Sequence, residues 1–304
     1  MNPHRLRAYI YLIIVAVIWG VAGPVIKFTL PSLPPFIFLT YRFFISTIVF
    51  LPIVLLKKTK APSTGKDFAI LTLIALLGSS INLGILFYGY NYTTALDASL
   101  LSATTPVFVV IASIFFLKER VTKKEKIGLL IALLGTLAII FQPLAENKIL
   151  FRENIFGNVL IAIANIAGVF YVILSKYGLK RKYDPLYMTF YMFFIGFITL
   201  LPLAALQTGS LPKLVSLIVN SSLQTHLGVL YMALLSGSLA YFLYQKAQKT
   251  IEASEAALFS YLSPLFAAPL AVFWLGEEIT IFYILGAAIV ATGVIIAESK
   301  RRKK

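Results

Sequence analysis

Apolar runs of about 20 residues recur along the whole chain between short polar stretches, and they limit the fold more than any other feature. A helix needs about 20 mostly apolar residues to cross a bilayer. We therefore predict an all-α integral membrane protein with a lipid bilayer as its surroundings. Breaks at charges and at proline or glycine clusters predict ten transmembrane helices, at 8–30, 35–56, 67–90, 94–117, 124–142, 155–176, 185–206, 223–245, 252–275 and 279–298.

Composition excludes several other classes of protein. Only 13% of the 304 residues are charged, against about 25% in a soluble domain. The net charge of +15 comes from basic residues in short clusters between apolar runs, so we expect no nucleic-acid partner. The sequence has no cysteine and two histidines. We accordingly predict no metal, no cofactor and no catalytic residues.

Basic residues are distributed unevenly between the two sides of the predicted spans. With the N-terminus placed inside, the inside segments carry 22 Lys and Arg residues and the outside segments carry four, while Arg42 lies within the second span. Cytoplasmic loops carry the excess of Lys and Arg in membrane proteins. The pattern predicts a multi-pass protein of the cytoplasmic cell membrane with both termini in the cytoplasm.

The second half of the chain repeats the first. At an offset of 158 residues, 12 of 39 positions are identical between 97–135 and 255–293, including the stretches LKERVT (117–122) and LGEEIT (275–280). Farther towards the N-terminus the offset is near 150, where TYRFFISTIVFLP (40–52) matches TFYMFFIGFITLLP (189–202), and Lys27 pairs with Lys176. We predict two repeats, 1–145 and 150–304, with five spans each.

Five is an odd number, so the second repeat enters the membrane in the opposite orientation. This inversion explains a charge reversal: Lys118 and Arg120 in the first repeat correspond to Gly276 and Glu278 in the second. Inverted repeats are an architecture of secondary transporters, whose substrate site lies at mid-depth between the halves. The sequence thus predicts a transporter that works by alternating access.

These residues resemble the EamA family of the drug/metabolite transporter superfamily over essentially the whole chain. The matching features are VIWGVAGPVIK in span one, YRF in span two, the endings P-x10-L-x-E-x-x-T of spans four and nine, and the glycines of spans five and ten. The resemblance implies a ten-helix fold with a central pocket lined by spans 1, 3, 4, 6, 8 and 9. It places spans five and ten at the periphery and leaves a homodimer contact open there.

Charged residues inside the membrane are costly and commonly functional, which singles out two basic candidates. Arg42 either caps backbone carbonyls or binds a carboxylate or phosphate of the substrate. Lys27 either extends its ammonium to the headgroups or forms an electropositive entrance to the pocket. The second interpretation predicts that Lys27→Ala lowers transport of an anionic or zwitterionic solute.

Polar and aromatic residues inside the spans complete the predicted substrate site. Buried amides serve either as links between helices or as substrate contacts, and pockets are largely apolar and aromatic with few polar groups. The candidates are Trp19, Asn82, Tyr88, Ser102, Asn165, Tyr171, Tyr241 and Ser260.

Two further sets have predicted mechanical roles. Gly20, Gly23, Pro24, Pro106 and Pro264 interrupt spans one, four and nine, and we interpret them as a hinge or gate rather than as simple packing. Glu119 and Glu277 end spans four and nine, where we predict that they anchor the following turn.

No acidic residue lies in the middle of any predicted span. This argues against a proton-coupled antiporter of cationic drugs, although organic-cation efflux stays as an alternative. A channel or an intramembrane enzyme is disfavoured, because no ring of charges and no catalytic cluster lies at depth. We therefore predict export or exchange of a small carboxylate-bearing metabolite, with an amino acid as the first candidate.

Overall fold

The computed structural model describes residues 3–59, 62, 64–102, 104–118, 123–140 and 151–298, and in these ranges the regular structure is helical. Helices lie at all ten predicted spans, and the described residues include one further, short helix. Seven of the helices are long and apolar enough to cross a membrane. The helices are α1 (Pro3–Thr29), α2 (Pro35–Leu56), α3 (Gly65–Tyr90), α4 (Ala95–Leu117), α5 (Lys123–Ile140), α6 (Phe151–Lys180), α7 (Pro185–Thr208), α8 (Leu211–Val219), α9 (Leu223–Gln248), α10 (253–275) and α11 (Ile281–Glu298).

Local sequence sets several of the helix boundaries. Prolines begin α2 and α7 at the first helical turn, where the missing N–H costs no intrahelical hydrogen bond. The Asp184 carboxylate caps α7 by accepting from the backbone N–H of Leu186 at 2.8 Å. At the other end, α4 and α10 stop in matched left-handed conformations, with φ of 58° at Lys118 and 69° at Gly276.

Helix packing follows the repeat. Helix α1 packs against α9 and α10, while its repeat counterpart α6 packs against α3 and α4. We call α1, α9 and α10 the first bundle and α3, α4 and α6 the second bundle. Helix α2 packs on its own counterpart α7 and also contacts α3 and α9, so it lies between the bundles. The fold is therefore two similar three-helix units with α2 and α7 beside them.

The last span of each repeat packs against the other. Helices α5 and α11 are in contact along their length, and a Cβ atom on Gly135 would lie 2.8 Å from Val290 Cγ2. Because of this close approach, a larger residue at position 135 would push the two helices apart. The opposite sides of both helices carry exposed apolar residues such as Leu130 and Leu285, as expected for surfaces that face lipid.

Matched irregularities interrupt the spanning helices near their centres. The π-helical stretches Leu77–Ile81 in α3 and Tyr231–Leu239 in α9 overlap at the 158-residue offset. Helix α4 consists of the segments Ala95–Ser102 and Thr105–Leu117, and a 3₁₀ stretch, Leu258–Leu262, precedes the second half of α10. Irregular backbone at membrane depth is tolerated where it is buried in protein or lines a cavity.

Helix α8 was absent from the span prediction. It has nine residues, is capped by the Ser210 hydroxyl, and exposes Leu211, Val215 and Val219 while burying Leu214. A helix this short cannot cross a bilayer, but its apolar side can lie in the membrane interface.

Candidate functional site

A cavity of about 210 Å³ lies between the two bundles, near the middle of their helices. All six bundle helices contribute side chains, and α2 contributes Arg42. Ten of the residues singled out in the sequence line it: Trp19, Gly20, Gly23, Arg42, Asn82, Ser102, Asn165, Tyr171, Tyr241 and Ser260. The lining also includes Phe87, Ser99, Thr105, Ser236, Tyr244 and Ser263, which the sequence analysis did not select.

Arg42 is the charged residue of this lining, and its side chain is 1% exposed. Its guanidinium carbon lies 5.7 Å from the Phe87 ring centroid and 5.8 Å from that of Phe43. Within the described part of the chain, its Nε and Nη1 atoms have no hydrogen-bond partner. No carboxylate is found among the described residues that line the cavity. A buried guanidinium in this state is a strong site for an anion.

An aromatic wall lines the cavity, with Trp19, Tyr241 and Tyr244 from the first bundle and Tyr171 from the second. The Trp19 ring lies 5.2 Å, centroid to centroid, from both Tyr241 and Tyr244, and Tyr171 lies 5.9 Å from Tyr241. The indole N–H of Trp19 donates to the Ser236 carbonyl at 3.1 Å. This carbonyl belongs to the π-helical stretch of α9, so the stretch supplies the acceptor that fixes the indole.

Two amides, of which Asn165 is buried and Asn82 is half-buried, hold the second bundle together. Asn82 Nδ2 donates to the Ala164 carbonyl at 2.6 Å, and Asn165 Nδ2 donates to the Leu101 carbonyl at 3.1 Å. These bonds join α3 and α4 to α6, as interhelical amide bonds do in other membrane proteins. Both residues still line the cavity, so the geometry combines the two roles considered for them in the sequence.

The glycines of α1 lie at close helix contacts. A Cβ atom on Gly20 would lie 2.6 Å from the Ser263 carbonyl oxygen, and one on Gly23 would lie 2.8 Å from the Tyr90 hydroxyl. Gly20 therefore lets α1 touch α10 at the start of its second half. Pro264 lies in the first turn of this half, and Pro106 lies in the first turn of the matching half of α4. Pro24 lies inside α1.

The paired lysines make the same contact in both repeats. Lys27 Nζ donates to the carbonyls of Tyr90 at 2.8 Å and Thr93 at 2.5 Å, where α3 ends. Lys176 Nζ donates to the carbonyls of Gln248 and Ile251, both at 2.6 Å, where α9 ends. We call these the Lys27 cap and the Lys176 cap.

The acceptors of the two caps are themselves 158 residues apart, at 90 and 248 and at 93 and 251. Each cap joins one bundle to the other, because Lys27 reaches from α1 to the end of α3 and Lys176 reaches from α6 to the end of α9. Neither lysine is in the cavity lining.

Glu277 makes a further contact between the bundles. Its two carboxylate oxygens accept from the backbone N–H groups of Ala95 at 2.7 Å and Leu96 at 2.8 Å, at the start of α4. A carboxylate is favourable at a helix N-terminus. Burial raises the pKa of Glu277, although these two hydrogen bonds and the charge of Lys27 act in the opposite direction. Its counterpart Glu119 lies outside the described residues.

Tyr88 lies away from the cavity. Its ring stacks on Phe36 with centroids 6.1 Å apart, and its hydroxyl accepts from the Tyr92 hydroxyl at 3.3 Å. The described residues contain no group of three or more His, Asp or Glu side chains that could hold a metal ion.

Comparisons with known proteins agree with this architecture. The model of the EamA-like transporter family matches residues 6–141 and 155–298. An uncharacterized transporter of Archaeoglobus fulgidus is 27% identical over 98% of this chain and 99% of its own length. The uncharacterized transporter YetK of Bacillus subtilis is 28% identical over 98% of this chain and 89% of its own. A solved crystal structure with 15% identity superimposes with a TM-score of 0.63 over 99% of this chain and 100% of that chain, which shows the shared fold.

Proposed function

Because the chain belongs to the EamA-like transporter family, we propose that it is a secondary transporter of a small carboxylate-bearing metabolite. Arg42 is the observation that carries this proposal. A fully buried cation without an acidic partner among the described residues is costly in an apolar interior. A bound carboxylate would satisfy its unused N–H groups with charge-assisted hydrogen bonds. The sequence predicts an amino acid as the first candidate, whereas Arg42 itself requires only the carboxylate.

The arrangement of the bundles supports alternating access. A cavity between two structurally similar halves is the arrangement in which rocking of one half against the other exposes a site to each face in turn. The Lys27 and Lys176 caps join the same two bundles, the first on the predicted outer side of the membrane and the second on the predicted inner side. We propose that each cap opens when its own side of the cavity opens.

Orientation follows from the charge distribution. The excess of Lys and Arg supports placing both termini in the cytoplasm and the protein in the cell membrane. Arg42 also opposes the alternative of organic-cation efflux, because a cationic drug would meet an uncompensated positive charge in the cavity. We propose export or exchange of the solute, without an enzymatic step.

Counterflow in proteoliposomes tests the proposed function. The full chain is first screened by thermal shift against amino acids, other carboxylates, sugar phosphates, nucleotide sugars and organic cations, because a bound ligand raises the melting temperature. Ligands that shift the melting temperature are then tested for exchange across the vesicle membrane. We expect saturable counterflow of a carboxylate. Flux that does not saturate would indicate a channel, and exchange of organic cations alone would overturn the proposal.

A further inference from the structure

The chemistry of the cavity narrows the substrate class further. We propose that the transported solute is an organic monoanion with an apolar or aromatic body, and that it carries no positive charge. This inference rests on the proposed function and concerns the same cavity. Three features carry it: the charge balance of the lining, the difference between the repeats at Arg42, and the aromatic wall.

Charge balance distinguishes a monoanion from a zwitterion. One anionic group would neutralise Arg42, whereas the ammonium of an amino acid would bring a second cation into a lining that has no carboxylate in its described part. Backbone carbonyls can replace a carboxylate as ammonium acceptors. However, the carbonyls of Leu101, Ala164 and Ser236 already accept hydrogen bonds from side chains of the cavity. The site therefore favours a solute without an ammonium group.

The repeat provides no second cation for a dianion. An offset of 150, which pairs Pro52 with Pro202, places Met192 opposite Arg42. Met192 is fully buried and does not line the cavity. A dicarboxylate would consequently leave one charge in an apolar interior without a partner, which is costly. The lining thus matches one negative charge, held on the side of the first repeat.

The remaining lining suits a compact apolar body. Trp19, Tyr171, Tyr241 and Tyr244 present ring surfaces, and the cavity of about 210 Å³ is smaller than the ~300–1,000 Å³ typical of pockets for drug-sized ligands. The hydroxyl of Tyr171 already accepts from Gln245 Nε2 at 2.9 Å, and the indole N–H of Trp19 is bonded to Ser236. The indole N–H of Trp19 and the acceptor side of the Tyr171 hydroxyl are therefore engaged, and these two residues offer mainly their ring faces to a solute.

A matched series of four compounds on one skeleton tests the inference. The probes are 3-phenylpropionate (one negative charge), phenylalanine (zwitterion), phenethylamine (one positive charge) and phenylsuccinate (two negative charges). Binding to the full chain is measured by thermal shift and by competition in counterflow. We expect 3-phenylpropionate to bind at least tenfold more tightly than each of the other three.

The outcomes separate this inference from the proposed function. If phenylalanine binds as tightly as 3-phenylpropionate, the monoanion inference is wrong, but the protein can still be a carboxylate transporter. If phenylsuccinate binds more tightly than 3-phenylpropionate, the monoanion inference is also wrong, and the solute is a dianion. If none of the four binds at millimolar concentration while another carboxylate exchanges, this inference fails and the proposed function stands. If only solutes without a carboxylate exchange, both proposals fail. In Arg42→Gln the preference for 3-phenylpropionate over phenethylamine should disappear, whereas Arg42→Lys, which keeps the charge, should retain part of it.

Discussion

The two repeats have the same contact at one pair of matched positions, Lys27 and Lys176, and different residues at another pair, Arg42 and Met192. Lys27 and Lys176 donate to two equivalent pairs of carbonyls, at the end of α3 and at the end of α9. Arg42 lines the cavity, whereas its counterpart Met192 is a buried apolar residue outside it. The contact present in both repeats fits a role in the architecture and in the proposed alternating access. The residue present in one repeat fits the proposed solute, which would have a single charged end.

The largest effect on solute binding is expected from the removal of the Arg42 charge. Truncating one partner of a buried charge pair costs roughly 2–5 kcal/mol of binding free energy, so Arg42→Gln should weaken carboxylate binding ~30-fold or more. The same change should not lower the melting temperature of the protein without solute, because an unpaired buried charge is removed. Transport and melting temperature are measured together. If the melting temperature of the solute-free protein falls together with transport, Arg42 has a structural role.

Lysine variants test whether the two caps are equivalent. Lys27→Met and Lys176→Met each leave two carbonyls without their donor, so each should lower the free energy of unfolding by about 1–3 kcal/mol. The double variant should show the sum, since the caps lie at distant sites. Melting temperatures of the three variants check this expectation. An increase in KM for anionic solutes confined to Lys27→Met would instead support the electropositive entrance predicted from the sequence.

Glu277 offers a smaller effect that depends on pH. Burial raises the pKa of Glu277 in the folded protein above its ordinary value near 4.5. Between these two values the folded state holds a proton that the unfolded state has lost, so stability should fall as pH rises through this window. Glu277→Gln should remove this dependence and also weaken the cap on α4. Melting curves at several pH values measure it, with the exposed neighbour variant Glu278→Gln as the control that should behave like the wild type.

The smallest effect is expected at Tyr88. Its hydroxyl makes one long hydrogen bond outside the cavity, so Tyr88→Phe should leave KM unchanged and alter the melting temperature only slightly. Tyr171→Phe is the matched change inside the cavity and removes the acceptor for Gln245. Counterflow kinetics compare the two variants. Equal losses of transport would show that the boundary of the cavity extends to Tyr88.

Span positions were predictable because burial in lipid demands long apolar runs. The second span was predicted at 35–56 and begins and ends at Pro35 and Leu56. Helix α8 was missed because nine amphipathic residues are too few for a spanning run. The sixth helix is longer than its predicted 155–176, since it continues to Lys180 beyond the apolar segment.

The site was only partly predictable for a different reason. Arg42 and Trp19 are unusual residue types inside a membrane-spanning helix, and this is visible in the sequence. The sequence does not show which hydrogen bonds they form. The charge of Lys27 is visible in the sequence and indicates a place at the substrate site, whereas its carbonyl partners come from a distant helix end. Thr105 and Ser263 were not selected, although both lie next to the matched prolines and the repeat alone marks them as a pair.

The π-helical stretch of α3 determines in which direction around the helix axis the later side chains of α3 point. One extra residue in a helix turns all later side chains by about 100° around the axis. Asn82, Phe87 and Tyr90 follow the stretch and line the cavity, so their inward direction depends on this offset. A deletion of a single residue within 77–81 would rotate them together away from the solute while leaving the composition of the helix almost unchanged. Which side chains of α3 line the cavity thus depends on the number of residues in the π-helical stretch as well as on the residue types.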